Sequence, residues 1–261
     1  MRRYALKVFY NGKNFYGSQI QPNVRTVEGE LRKALGKFCE FYDFKGAART
    51  DRGVSALGNV FALTTEFKLQ PRIINAHLPE DIFVLGLREV NLDFNPMKEA
   101  KERIYKYFLV DDEYDLDKIK KASKIIEGKH SFHNFTISNE NPIRTINYIE
   151  VEKKNGIIIL TFSGKSFLWQ MVRRLTTALK LVGKGELTIK DLKNLFKKEI
   201  NKKIKASEPE FLILWDIKYD FKFKCENFSL NRFIEHLKRE ICILKMKEEI
   251  LDFCLSNISC P

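Results

Sequence analysis

Residues 146–162 narrow the choice of fold more than any other stretch. Apolar runs at 146–151 and 157–162 flank Lys154-Asn155-Gly156. Asn-Gly between two such runs is the signal of a tight hairpin, because both turn positions need positive φ. A hairpin commits the chain to antiparallel pairing. Tyr4, Leu6, Val8 and Tyr10 alternate with Ala5, Lys7 and Phe9, again with the period of a strand, and Asn11-Gly12 then marks a turn. Further strands are predicted at 58–64, around Ile82, Val84 and Leu85, at 104–109, where Tyr105, Tyr107 and Leu109 share one face, and at 209–219. Helices fall between them. Thr26 caps one whose apolar face is Val27, Leu31, Ala34, Leu35 and Phe38, and whose apolar run carries on to Phe41-Tyr42-Asp43-Phe44. A short helix starts at Pro71 and runs to about His77. Asp115 or Asp117 caps another, which Gly128 ends, and Thr188 with Asp191 reads as a capping-box variant. A long helix opens at Gly164-Lys165-Ser166-Phe167, with Phe167, Leu168, Met171, Val172, Leu175, Ala178, Leu179 and Val182 as its stripe, Arg173 on the opposite side and Arg174 at the edge. A last helix at 229–255 turns Phe233, Leu237, Ile241 and Leu244 inward. With no dinucleotide-binding glycines, this order predicts an α+β fold with largely antiparallel sheets.

The chain of 261 residues is 44% hydrophobic and 31% charged, in the range of globular proteins. No apolar run reaches the roughly 18 residues that a membrane span needs. Residues 1–20 are polar and broken by glycine, unlike a secretory signal, so a cytoplasmic protein off the membrane is expected. Five cysteines, an odd number with no Cys-x-x-Cys spacing, predict reduced thiols rather than a zinc site or disulfide framework. The net charge is +12, and the tail 222–261 carries seven Lys or Arg against six Asp or Glu, which leaves +11 on the first 221 residues. The excess sits on the folded body and points to a polyanionic partner, nucleic acid before others. Residues 184–205 hold eight Lys against three acids, and Lys197 and Lys198 are candidates to follow phosphates there.

Between the first helix and the strand at 58–64 lies Ala47-Ala48-Arg49-Thr50-Asp51-Arg52-Gly53-Val54-Ser55-Ala56. Residues 49–55 hold one carboxylate, two guanidiniums and two hydroxyls, with Gly46 and Gly53 letting the backbone turn sharply. A charged Asp in such a loop is either a nucleophile or general base, or one half of a local surface ion pair. His130 and His133 have no acidic or Cys neighbour in sequence, which favours a structural reading over a metal site, and His77 reads as a packing residue.

The wording of the loop resembles the signature of the tRNA pseudouridine synthase A family, in an archaeal-like form. That family usually reads Gly-Arg-Thr-Asp-x-Gly-Val-His-Ala; here Ala48 and Ser55 stand in place of Gly and His. Similar matches follow in order: Phe15-Tyr16-Gly17-Ser18-Gln19-Ile20-Gln21-Pro22, with Ser18 where Trp is usual; Leu78-Pro79-Glu80-Asp81-Ile82; Arg103-Ile104-Tyr105-Lys106-Tyr107; and Phe167-Leu168-Trp169-Gln170-Met171-Val172-Arg173. Phe211-Leu212 replaces the usual Gly-Leu. The resemblance covers about 1–221. It implies a pseudouridine synthase fold, in which two related subdomains with antiparallel sheets, here 1–105 and 106–221, join into one extended sheet flanked by helices around a central basic cleft. The tail 222–261 is then a helical extension. The implied activity is that of an isomerase, turning uridine into pseudouridine in the anticodon stem-loop of tRNA at positions 38, 39 and/or 40, with no cofactor and no metal, usually as a homodimer. Asp51 falls on the catalytic Asp, Tyr105 on the active-site Tyr and Arg173 on the partner of the Asp, holding it through a guanidinium fork. Arg49 falls on the residue that fills the vacated stack, and Leu212 on a substrate contact.

Two other classes compete. A non-catalytic RNA-binding protein on the same fold is opposed by intact Asp51, Tyr105 and Arg173. A metal-dependent nuclease lacks a carboxylate or His cluster in the sequence.

Overall fold

The structure, a computed structural model, describes residues 1–258; Cys260, read above as a free thiol, lies outside them. Ten strands make a single sheet. In chain order they are β1 (Arg2–Tyr10), β2 (Tyr42–Gly46), β3 (Ser55–Thr65), β4 (Ile82–Val90), β5 (Glu102–Val110), β6 (Gly128–Ser131), β7 (Ile143–Lys154), β8 (Ile157–Gly164), β9 (Leu212–Lys218) and β10 (Lys224–Cys225). They lie in the order β10-β4-β1-β3-β9-β5-β8-β7-β6, with β2 paired to β3 off that path. The architecture is α+β, and every strand pairing among the described residues is antiparallel except β3 with β9. The hairpin turn has Asn155 at φ 52° and Gly156 at φ 73°, the two positive values that the dipeptide supplies without strain.

The helices are α1 (Val27–Leu35), α2 (Pro71–Asn75), α3 (Leu116–Ile126), α4 (Met171–Gly183), α5 (Ile189–Asn194) and α6 (Asn227–Asn257). Their starts are chemically marked. Thr26 accepts the Gly29 N–H at 3.2 Å, Asp115 the Lys118 N–H at 3.0 Å and Thr188 the Asp191 N–H at 3.1 Å, each satisfying one otherwise unpaired donor. In α4, Met171, Leu175, Ala178, Leu179 and Val182 are buried; each of the larger side chains stabilises by about 1.5–3 kcal/mol, and together they fix which way the helix turns its other side. Gly183 lets α4 approach α3, since a Cβ there would sit 2.9 Å from the Ile119 side chain.

The structure departs from the sequence reading at five places. The last strand starts at Leu212 rather than 209, because Pro209–Phe211 form a single tight helical turn. The apolar run after α1 is not a continuation of that helix, which stops at Leu35; 42–46 is the strand β2. Its Asp43 has φ 48° and is bound at 3.1 Å by the buried guanidinium of Arg3, a long-range contact that no local pattern reveals. The helix at Pro71 ends at Asn75, before His77. Helix α4 begins at Met171, not at Gly164, because Gln170 takes φ 61°, a left-handed backbone that a right-handed helix cannot run through. Residues 165–170 are therefore a loop. In α6, Phe233 is buried and Leu237 packs beside it against Phe9, Phe83 and Leu85, but Ile241 and Leu244 are exposed, since the helix reaches past the sheet it leans on. Cys39, Cys225, Cys242 and Cys254 form no disulfide. No helix among the described residues is long and apolar enough to cross a membrane.

Candidate active site

The loop that carries Asp51 enters β3 and is tied down from behind. The Thr50 N–H donates to Ser18 Oγ at 2.9 Å, Thr50 Oγ1 lies 2.8 Å from the Tyr10 hydroxyl, and Asn59 Nδ2 donates to both that hydroxyl and the Ala48 carbonyl at 3.0 Å. Ser18, Asn59 and Thr50 are buried, so these bonds form out of water, where leaving a partner unmade is costly. Val54 N–H closes a turn onto the Asp51 carbonyl at 3.1 Å, with Gly53 at φ 83°, a position that a side chain rarely occupies. Ser55 Oγ accepts the Gly12 N–H at 3.0 Å. Ser18 and Ser55, each standing where the family usually has another residue, thus hold the loop through their hydroxyls.

Opposite this loop stands the start of α4. Arg173, on the side away from the buried stripe, donates from Nη1 to Asp51 Oδ2 at 2.8 Å and from Nε to the Ser207 carbonyl at 2.6 Å. The side chains of Arg173 and Asp51 are 13% and 21% exposed, so the pair is only partly screened. The fork does not grip the carboxylate with both prongs: one goes to Ser207, and the second oxygen of Asp51 accepts the Trp169 indole N–H at 2.9 Å. Arg174 is instead buried and structural, bound to Gln170 Oε1 at 2.9 Å and to the Ile204 carbonyl.

Tyr105 lies on β5, across from Leu214 of β9, whose neighbour on the other side is Ala56 of β3. Strand β9 thereby bridges the Asp51 strand and the Tyr105 strand. Tyr105 is buried and meets the Phe167 ring edge-on at 5.1 Å. Burial pushes its hydroxyl up to about 12, eased by the charge of Arg103 and reinforced by that of Asp51. The phenol therefore keeps its proton at neutral pH. Leu212 is buried across from Tyr107, one pair further along the same face. Arg49 is exposed, as are Lys197 and Lys198; the charged partner of the Asp51 carboxylate is Arg173.

Two residues at this site escaped the sequence reading. The buried Arg103 donates to the carbonyls of Ala47 at 2.8 Å, Met97 at 3.0 Å and Lys165, stitching the root of the Asp51 loop to the root of the 165–170 loop. Its presence in Arg-x-Tyr-x-Tyr was the available signal. Trp169 was hidden because a residue assigned to a helix interior is not expected to reach across to another loop. His133 and His130 bind the carbonyls of Ile200 and Glu127, each at 2.8 Å, and no group of three or more His, Cys, Asp or Glu suited to a metal occurs among the described residues.

A family model described as tRNA pseudouridine synthase matches residues 122–220, the part that contains Arg173 and β9. The tRNA pseudouridine synthase A of Thermococcus sibiricus is 46% identical over 248 residues, 91% of each chain. That of Pyrococcus abyssi is 44% identical over 246 residues, 92% of each chain, and that of Pyrococcus furiosus 39% identical over 260 residues, 95% of this chain and 97% of the other. With such likeness along nearly the whole of both sequences, the chain belongs to the tRNA pseudouridine synthase A family.

Proposed function

We propose that this protein isomerises uridine to pseudouridine in the anticodon stem-loop of tRNA, with Asp51 as the reacting carboxylate, Arg173 as its partner and Tyr105 as the face on which the target base rests. The reaction breaks the bond between N1 and C1′, turns the base over, joins C5 to C1′ and releases the C5 proton. It is redox-neutral and takes up no water, so its balance calls for no cofactor. Asp51 acts either by adding to C1′ or by taking a ribose proton to leave a glycal. The base must first leave its stack, and Arg49, exposed two residues before Asp51, is the candidate to occupy the gap. Leu212, Lys197 and Lys198 are read as substrate contacts, the lysines with tRNA phosphates.

The observation that carries this reading is the 2.8 Å contact between Asp51 and Arg173, residues 122 positions apart, beside a buried tyrosine. The division into 1–105, 106–221 and the extension 222–261 belongs to the same reading, with β5 running through the first boundary. So does a cytoplasmic homodimer; the exposed Ile241, Leu244, Ile250 and Leu251 of α6 offer apolar surface for a second copy. The test is to incubate the protein with an unmodified tRNA transcript, without added metal, and map pseudouridine. Wild type should modify it. Asp51→Asn should form none while binding tRNA nearly as well, and a variant keeping more than a few per cent of the activity would remove Asp51 from its role. A wild type that binds without modifying would favour the non-catalytic alternative.

A further inference from the structure

Trp169 is 59% exposed, an unusual state for so large an aromatic side chain. Its backbone is not loose. The Trp169 carbonyl accepts the Thr136 hydroxyl at 3.0 Å, the Met171 N–H closes a turn onto the Leu168 carbonyl at 3.0 Å, and the next residue, Gln170, is fixed at φ 61°. Leu168 is buried and Phe167 is packed on Tyr105. A pinned loop thus holds an open indole with its single polar atom 2.9 Å from Asp51 Oδ1. Each carboxylate oxygen has two lone pairs. Arg173 takes one on Oδ2 and Trp169 one on Oδ1, which fixes the carboxylate plane and the direction of the pair left free on each oxygen.

Resting on the reading above, we propose that Trp169 is a positioning residue of this site: its indole N–H orients the Asp51 carboxylate while its exposed face receives a base of the RNA. Bases of any identity stack on aromatic rings, and a ring that is already anchored at its polar edge takes a base without first being ordered.

The two halves of the role separate by substitution. Trp169→Phe keeps a ring and removes the N–H. Its single-turnover rate on unmodified tRNA should fall by about 10- to 150-fold, the worth of a hydrogen bond to a charged group, while the RNA concentration giving half the maximal rate stays within about twofold of wild type. Trp169→Ala should lose as much rate and also need about tenfold more RNA. Pseudouridine formation by wild type in the same assay reports on the proposed activity separately. With wild type active, an unchanged rate for Trp169→Phe overturns the positioning role. The unmutated residue is read by fluorescence in Trp215→Phe, since Trp169 and Trp215 are the two tryptophans of the chain and the Trp215 ring packs under the Lys106 ammonium rather than against Asp51 or Tyr105. Saturating tRNA should quench the remaining emission by at least about a third; unaltered emission overturns the stacking role whether or not the substituted proteins fold well.

Discussion

Replacing Arg173 by Lys keeps the charge and removes the geometry. The guanidinium serves two acceptors at once, Asp51 Oδ2 at 2.8 Å and the Ser207 carbonyl at 2.6 Å. An ammonium on a flexible stem is a single point donor and is not held by a planar fork. If it turns to Ser207, the carboxylate loses a hydrogen bond to a charged donor, a change of about 1.5–3 kcal/mol, or about 10- to 150-fold in rate. Arg173→Ala removes the charge too. Breaking a buried pair costs about 3–5 kcal/mol, and with Asp51 21% exposed and Trp169 still donating, the lower part of that range is expected. The assay is single-turnover pseudouridine formation on an unmodified transcript. A denaturant-melting cycle over Asp51→Asn, Arg173→Ala and the double substitution gives the coupling directly. It should exceed about 1 kcal/mol, because contacting residues do not add. A Lys variant within about threefold of the wild-type rate, or single effects that sum to the double within about 0.3 kcal/mol, would refute the idea that these two side chains act as a unit.

Three further outcomes are expected. If the exposed lysines of 184–205 lie along phosphates, the joint change Lys197→Ala, Lys198→Ala and Lys202→Ala should lower the slope of log affinity for tRNA against log salt by up to about three; an unchanged slope would leave them as solvated surface. Lys203 is left out because its ammonium donates to the carbonyls of His133 and Thr136, at 2.5 and 3.2 Å. Burial holds the hydroxyls of Tyr10, Tyr105, Tyr107 and Tyr219 above their usual range, Tyr105 at about 12. These phenols stay neutral in the folded state while those of the unfolded chain ionise near pH 10, so their contribution is complete below pH 10 and is lost as pH rises toward 12. Denaturant midpoints should fall across that window, less steeply in Tyr105→Phe, and an equal fall in both proteins would contradict the assignment. Deleting residues 239–261 should turn a dimer into a monomer in sedimentation if the far half of α6 is the contact; a dimer that persists places the contact elsewhere.

Much of this fold is written locally. The Asn155-Gly156 turn, the alternation in β1 and the caps Thr26, Asp115 and Thr188 each involve residues within a few positions of one another, where period and turn chemistry are informative. What escaped was decided at a distance. Strand β2 depends on buried Arg3 reaching Asp43. The late start of α4 depends on Gln170, whose αL backbone comes with a side chain that grips Arg174. The apolar face of α6 was visible as a pattern, but a pattern does not say where the surface beneath it ends. At the site, the identities of Asp51, Tyr105 and Arg173 could be read from motif wording, whereas the sharing of Arg173 between Asp51 and Ser207, and the use of Trp169 for the second oxygen, are matters of orientation that only three dimensions supply.

Strand β9 has a consequence for how the protein is made. It comes from residues 212–218 yet lies between β3 and β5, both of which precede it by a hundred residues or more. During translation the Asp51 loop and the Tyr105 strand leave the ribosome early but have no strand to join them until the last fifth of the chain emerges. Until then β3 and β5 each present an unpaired edge, the kind of surface on which nascent chains aggregate. The site is therefore assembled last, and any early stop before β9 yields a chain that carries Asp51, Tyr105 and Arg173 but lacks the strand that joins β3 to β5.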